Sequence, residues 1–215
     1  MTIEIRQRYL PMRHFKLQGT FCIVSEMVAI YIFLICVVSS ALAKDPPKCC
    51  LRGSWQAYAV QPEMLNLDPM PFKQFYFDYN LTKEAQQALQ LTPGSAPVKG
   101  YRMVTDHSKG RTYRISPTGV CTSFPNPVPM IPCIPDSATF LGESYVGAPK
   151  IGVAFNVWRF SIEPYKLNIT ISVAQDSCIP ILERISGPNV NMSLSFSGFS
   201  SPVSDKSVFD VPSGC

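Results

Sequence analysis

The sequence predicts an all-β protein, mainly antiparallel, folded as a sandwich or open barrel with few short helices. Three observations carry this. The chain has 20 prolines, and those from Pro46 to Pro212 exclude long helices and favour short strands joined by turns. Nine stretches alternate, or are rich in β-branched and aromatic residues. Turn-forming residues fill the gaps between them.

The strand candidates are Trp55–Val60, Phe72–Tyr79, Tyr101–Thr105, Thr112–Ile115, Thr139–Val146, Val153–Ile162, Leu167–Ala174, Ile179–Ile185 and Met192–Phe199. His107 to Gly110 lies between the third and fourth and reads as a hairpin turn. Ser116–Gly119, Glu163-Pro164 and Ser186–Asn189 punctuate the rest. Lys83–Leu91 (KEAQQALQL) is ambiguous. It holds strong helix formers and no β-branched residue, yet it follows Phe72–Tyr79 across a short turn. Tertiary pairing overrides propensity often enough in strands to favour a return strand with a distorted end. Pro125–Pro135 (PNPVPMIPCIP) reads as an irregular crossover pinned by its cysteine. A proline-rich recognition segment is the sharper alternative.

Upstream of these elements lies an export signal. Arg6, Arg8, Arg13 and Lys16 precede the apolar run Met27–Val38, and Ala41 and Ala43 fit a small-residue cleavage pattern. The apolar run is shorter than the ~20 residues of a spanning helix. The expectation is a signal peptide over residues 1–43, cleaved after Ala43, and a single domain over 44–215. The long basic region fits a start at Met12 rather than Met1. An uncleaved type II anchor is the competing reading. No later segment is apolar and long enough to span a bilayer as a helix, so no integral span is expected after cleavage.

Removing residues 1–43 takes four of 19 basic and two of 15 acidic residues, leaving a net charge of +2. That balance gives no electrostatic case for nucleic acid. Six of the eight cysteines remain: Cys49, Cys50, Cys121, Cys133, Cys178 and Cys215. An even set in an exported chain implies a disulfide framework, and six allow fifteen pairings. Vicinal Cys49-Cys50 could suggest redox chemistry, but each can bridge elsewhere. One histidine, His107, remains, which disfavours metalloenzyme and Ser-His-Asp constructions. HExxH, GxSxG, Walker-type and GxGxxG motifs are absent from the sequence. Asp78, Asp106, Asp136, Glu143 and Asp176 are separated carboxylates that could assemble a loop calcium site, without EF-hand spacing.

Three N-x-S/T sequons stand at Asn80, Asn168 and Asn191, plausible glycan acceptors with solvent-facing side chains. Outward Asn168 would turn Ile169, Ile171 and Val173 inward. The period of two places Phe75, Phe77 and Tyr79 on one face. It likewise groups Trp158, Phe160 and Ile162, opposite Phe155, Val157 and Arg159. The plain reading is core filling; the sharper one is a cavity for an apolar ligand.

Four ordered features carry a resemblance. Cys49-Cys50 is followed by Trp55. Cys133-Ile-Pro-Asp136 leads to Phe140-Leu-Gly142. Asp176-Ser-Cys178-Ile-Pro180 comes next, and the chain closes with Val208-Phe209, Pro212 and Cys215. This series resembles the ependymin family, particularly invertebrate ependymin-related proteins, across essentially the whole of 44–215. The resemblance implies two stacked antiparallel sheets enclosing a deep apolar pocket, similar to bacterial lipoprotein carriers of the LolA/LolB type. It implies secreted or lysosomal glycoproteins that form homodimers, without enzymatic activity. It also implies binding of lipids or other hydrophobic molecules, calcium, and cell–matrix adhesion.

On the family pattern the disulfides would be Cys121–Cys215 and Cys49–Cys178, leaving Cys50–Cys133. A further pair known in vertebrate relatives has no counterpart. The expected ligand pocket is lined by Phe75, Phe77, Trp158, Phe160 and Ile171, with Tyr113 and Val104 beside them. A matrix or adhesion component without a stored ligand is the alternative function. Calcium ligands stay unassigned.

Overall fold

The computed structural model describes residues 44–64, 70–148 and 151–215. The expected signal segment and its cleavage point lie outside the described residues. Residues Asp45–Cys215 cluster as one compact unit.

Eleven strands form the described architecture: β1 Ser54–Val60, β2 Phe72–Asp78, β3 Lys83–Gln90, β4 Val98–Asp106, β5 Arg111–Ile115, β6 Cys121–Pro125, β7 Thr139–Val146, β8 Val153–Ile162, β9 Leu167–Ala174, β10 Pro180–Gly187 and β11 Val190–Ser200. Three short 3-10 turns accompany them, at Pro62–Met64, Glu163–Tyr165 and Lys206–Phe209. Every strand pairing is antiparallel. Lys83–Gln90 is a strand, paired along both edges, with an irregularity between Gln87 and Leu89. β6 was not expected. It is short and ends in the proline-dense connector, and as an edge strand it tolerates Pro125.

The expectation of two stacked sheets is corrected. The strands join into one 11-stranded sheet in the order β6-β5-β4-β3-β2-β1-β11-β10-β9-β8-β7. The reason is the β1–β11 seam. Ala59 pairs with Phe196 and Val60 with Ser195, so the first and last strands fuse what would otherwise be two sheets. The register shifts along this seam between Gln56 and Tyr58. Gly198 sits there at φ +61°, and a Cβ on it would approach Tyr58 Cδ2 to 3.0 Å. An extra residue in one strand of a pair bends the sheet and increases its twist.

Apolar side chains lie on both faces. On one, Trp158, Phe160, Ile169 and Val173 pack with Ile134, Ala138 and Cys178, while Ala59, Phe75 and Leu194 form a second cluster. On the other, Tyr76, Ala85, Val104 and Ile115 are covered by Val203 and Phe209 of the C-terminal segment. Arg102 fastens that segment by donating to the Ser207 and Asp210 carbonyls at 3.1 and 2.9 Å. Lys206 Nζ reaches buried Asp78 Oδ2 at 2.9 Å.

The three disulfides are Cys49–Cys178, Cys50–Cys133 and Cys121–Cys215. The last ties β6 to the chain end. The other two anchor residues 49 and 50 to the β9–β10 link and to the connector after β6.

Candidate functional site

Strand register determines which side chains share a face. Directly opposed residues run Trp55, Phe77, Glu84, Thr105 and Thr112 across β1 to β5. In the other half they run Phe140, Trp158, Ile171, Glu183 and Leu194 across β7 to β11. A cavity of about 370 Å³ is lined from both rows and their neighbours: Trp55, Phe75 and Phe77 from one half, and Phe160, Ile169, Ile171 and Ile185 from the other. Glu84 and Glu183 line it too. β3 and β10 are four strands apart in the sheet, so the sheet curls until distant strands face one cavity.

The connector closes over it, contributing Asn126, Val128 and the run Pro129–Ile134. Prolines remove backbone donors, so few carbonyls here can be satisfied within the segment. Other elements satisfy them. His107 Nδ1 is 2.9 Å from the Val128 carbonyl, and Tyr165 donates to Pro127 at 2.7 Å. Leu51 N–H donates to Pro132 and Ile134 N–H to Cys49. Asn126 Nδ2 donates to Thr112 Oγ1, which also contacts Thr105 Oγ1 at 2.9 Å. The crossover is thus a strap held at both ends, which is the structural role expected of its cysteine.

Of the expected pocket residues, Phe75, Phe77, Phe160 and Ile171 line the cavity. Trp158 shares their face but is fully buried in the cluster beside the cavity, ring to ring with Phe140 at 5.2 Å. Val104 and Tyr113 are a correction. They oppose each other and lie on the row of Tyr76 and Ala85, on the face covered by the C-terminal segment. The choice of face in β4 turns on register, which the short alternation Tyr101–Thr105 left undetermined.

Sequence reasoning also missed four polar groups on the cavity wall, Glu84, Glu183, His107 and Trp55 Nε1. Glu183 sits among Ile171, Ile185 and Leu194 and lines the cavity. It has no hydrogen-bond or ion-pair partner among the described residues. Burial, and secondarily the Glu84 carboxylate, push its carboxyl up to about 7. His107 Nε2 lies 3.7 Å from Glu84 Oε2, an ion-pair distance too long for a hydrogen bond. Burial opposes charge on this imidazole. Glu84 and the Val128 carbonyl outweigh it and lift His107 above its ordinary value. Trp55, stacked on Phe77 at 5.2 Å, holds a buried Nε1 donor without a partner. The one available signal was alternation in β10. Register turns Glu183 inward, while Leu182 is 44% exposed.

The sequon residues Asn80, Asn168 and Asn191 are all exposed, and Ile169 and Val173 are buried on the face of β9 opposite Asn168. Three of the five carboxylates considered for calcium, Asp78, Asp106 and Glu143, have other engagements. Asp78 accepts from Asn80 N–H, Leu81 N–H and Lys206. Asp106, held low by Ser108 and Lys109 against its burial, accepts from both, and Glu143 accepts from Gln175. Among the described residues no three His, Cys, Asp or Glu side chains gather as metal ligands. None of their helices is long and apolar enough to cross a membrane.

One antiparallel sheet curled about an apolar cavity, strapped across by a proline-rich segment and stapled by three disulfides, defines a disulfide-bonded β protein with an internal cavity. The family model Ependymin matches residues 96–215, more than half of the chain. The chain belongs to the ependymin family. The matched region runs from before β4 to the terminal cysteine, so β1 to β3, with Phe75, Phe77 and Glu84, precede it. No curated protein sequence matches the chain. Family membership and three disulfides fit a secreted protein.

Proposed function

We propose that this protein is a secreted glycoprotein that holds a lipid or other hydrophobic small molecule inside its curled sheet. The supporting observation is the cavity. Its volume of about 370 Å³ falls in the roughly 300–1,000 Å³ range of small-molecule sites. Half of its lining residues are Phe, Ile or Val, and the rest include a few polar groups, the composition such sites share. The driving force is desolvation, at roughly 25 cal/mol per Å² of apolar surface before ordering costs. Phe75, Phe77, Phe160 and Ile171 supply contact area, and Trp158 backs them from the adjoining core. The six half-cystines keep the strap and the C-terminal cover in place. Calcium linkage and homodimer formation belong to the same reading, and the lumen of the lysosome is a second compartment compatible with it.

The test is mass spectrometry of organic extracts from protein purified without detergent, read against mock-purified medium. A stoichiometric hydrophobic compound is the expected result. An extract free of any such compound, together with failure to take up added lipid, would sink the proposal and leave the matrix-adhesion reading, which needs no stored ligand.

A further inference from the structure

The cavity wall is rich in acceptors and poor in donors at one place. Glu84 and Glu183 both present carboxylates to it. The Val128 carbonyl can only accept, so His107 Nδ1 donates to it. In the neutral ring this leaves Nε2 as a lone-pair acceptor. Nε2 is buried, unpartnered by any hydrogen bond, and 3.7 Å from Glu84 Oε2. The His107 side chain is only 9% exposed, so water from outside does little to satisfy it. Two carboxylates thus line an apolar space beside the buried imidazole nitrogen, and the unpartnered donor on the same wall, Trp55 Nε1, is itself buried. Lys73 shares this face of β2 but bonds Gln61 Oε1 at 2.6 Å and is not a lining residue. Arg184 points the opposite way from Glu183 and is exposed. These groups do not form a metal-ligand cluster.

Resting on the reading of the cavity as a ligand site, we infer that its occupant is a cationic amphiphile, a long-chain primary amine. The alkyl chain lies against Phe75, Phe77, Phe160 and Ile171, and the ammonium donates to Glu183 and Glu84, with the His107 ring beside them. An ammonium has three N–H donors and no acceptor, the complement of this set. A fatty-acid carboxylate would instead place a third anion beside Glu84 and Glu183.

The pH dependence has a definite sign. The groups facing the head are Glu183 from β10, Glu84 from β3 and His107 after β4. Protonating Glu183 or His107 removes negative charge or adds positive charge, and either change weakens the hold on an ammonium. Glu183 is pushed up to about 7 and His107 is lifted above its ordinary value, so binding is stronger at pH 8 than at pH 5.5. A carboxylate ligand would show the opposite trend.

The experiment compares dodecylamine, dodecanol and dodecanoate as competitors of a neutral fluorescent probe, on the whole secreted chain, at pH 8 and 5.5. The amine is expected to bind at least about tenfold tighter than the alcohol at pH 8, an advantage falling below about threefold at pH 5.5. Glu183→Gln removes most of that advantage at pH 8. Equal binding of amine and alcohol, or tightest binding by dodecanoate, overturns the inference while the cavity reading stands. Failure of all three to bind overturns both. If Glu183→Gln does not fold, the wild-type pH trend decides: amine affinity that is flat or rises on acidification refutes the assignment.

Discussion

Glu183 is an acidic residue where packing alone would select a branched aliphatic. Its register neighbours Ile171 and Leu194 are both apolar, and its carboxyl titrates at about 7 instead of its ordinary 4.5. In the folded state it keeps its proton to higher pH than in the unfolded state. Between about pH 4.5 and 7 the native protein therefore binds more protons, and stability falls as pH rises through that window. The deficit reaches roughly 3 kcal/mol above pH 7. Glu183→Gln cannot titrate, so the variant is expected to melt higher than wild type at pH 8, by on the order of 5–10 °C. The difference should vanish by about pH 4.5; a pH-independent gap in thermal melts would refute the assigned burial. His107 slopes the same way, its stabilisation being lost as pH rises through its raised value, but the variant leaves that contribution intact. Little of this was legible beforehand. Composition shows a Glu beside a Leu; only the register of β10 against β9 and β11 tells which of the two goes inside.

Among the elements, the two faces of β2 divide the labour. Phe75 and Phe77 face the cavity, while Tyr76 and Asp78 face the C-terminal segment with Phe209 and Lys206. Changes on the two faces should separate cleanly. Phe209→Ala, at a side chain 1% exposed, is expected to cost about 3–5 kcal/mol of stability and leave ligand affinity unchanged. Phe77→Ala should weaken ligand binding about tenfold or more, with a smaller loss of stability. Denaturant titration and probe displacement on both variants check this; equal effects on both properties would remove the division. Most strands were readable from alternation and turn chemistry, including Lys83–Gln90 against its own propensity. Val104 and Tyr113 were placed on the wrong face because β4 runs Val98–Asp106 with apolar and polar residues mixed on both sides, so no alternation distinguishes them. Strands whose two faces are both covered lose that signal.

At the scale of the whole molecule, one seam converts an expected pair of sheets into a single curled one. β1 and β11 are remote in sequence and adjacent in space, and no local pattern announces such a pairing. The strap and the three disulfides then fix the curl. Two of those bridges leave from neighbouring residues. Cys49 goes to Cys178 and Cys50 to Cys133, so the alternative set, Cys49–Cys133 with Cys50–Cys178, requires a slip of only one residue. Early in oxidation, before the strap is seated, chain entropy hardly distinguishes the two sets, since the loops they close are nearly equal in length. Correct pairing is therefore decided by reshuffling against the folded sheet, and thiol–disulfide exchange becomes the slow stage of maturation. Reduced protein re-oxidised with a glutathione buffer should recover a single isomer by peptide mapping. Rapid oxidation without free thiol should trap a mixture in which both sets occur as isomers of identical mass, and a single isomer there would show that the sheet forms before the first bond closes. Two adjacent cysteines thus make the arrival at one isomer a matter of thiol–disulfide exchange.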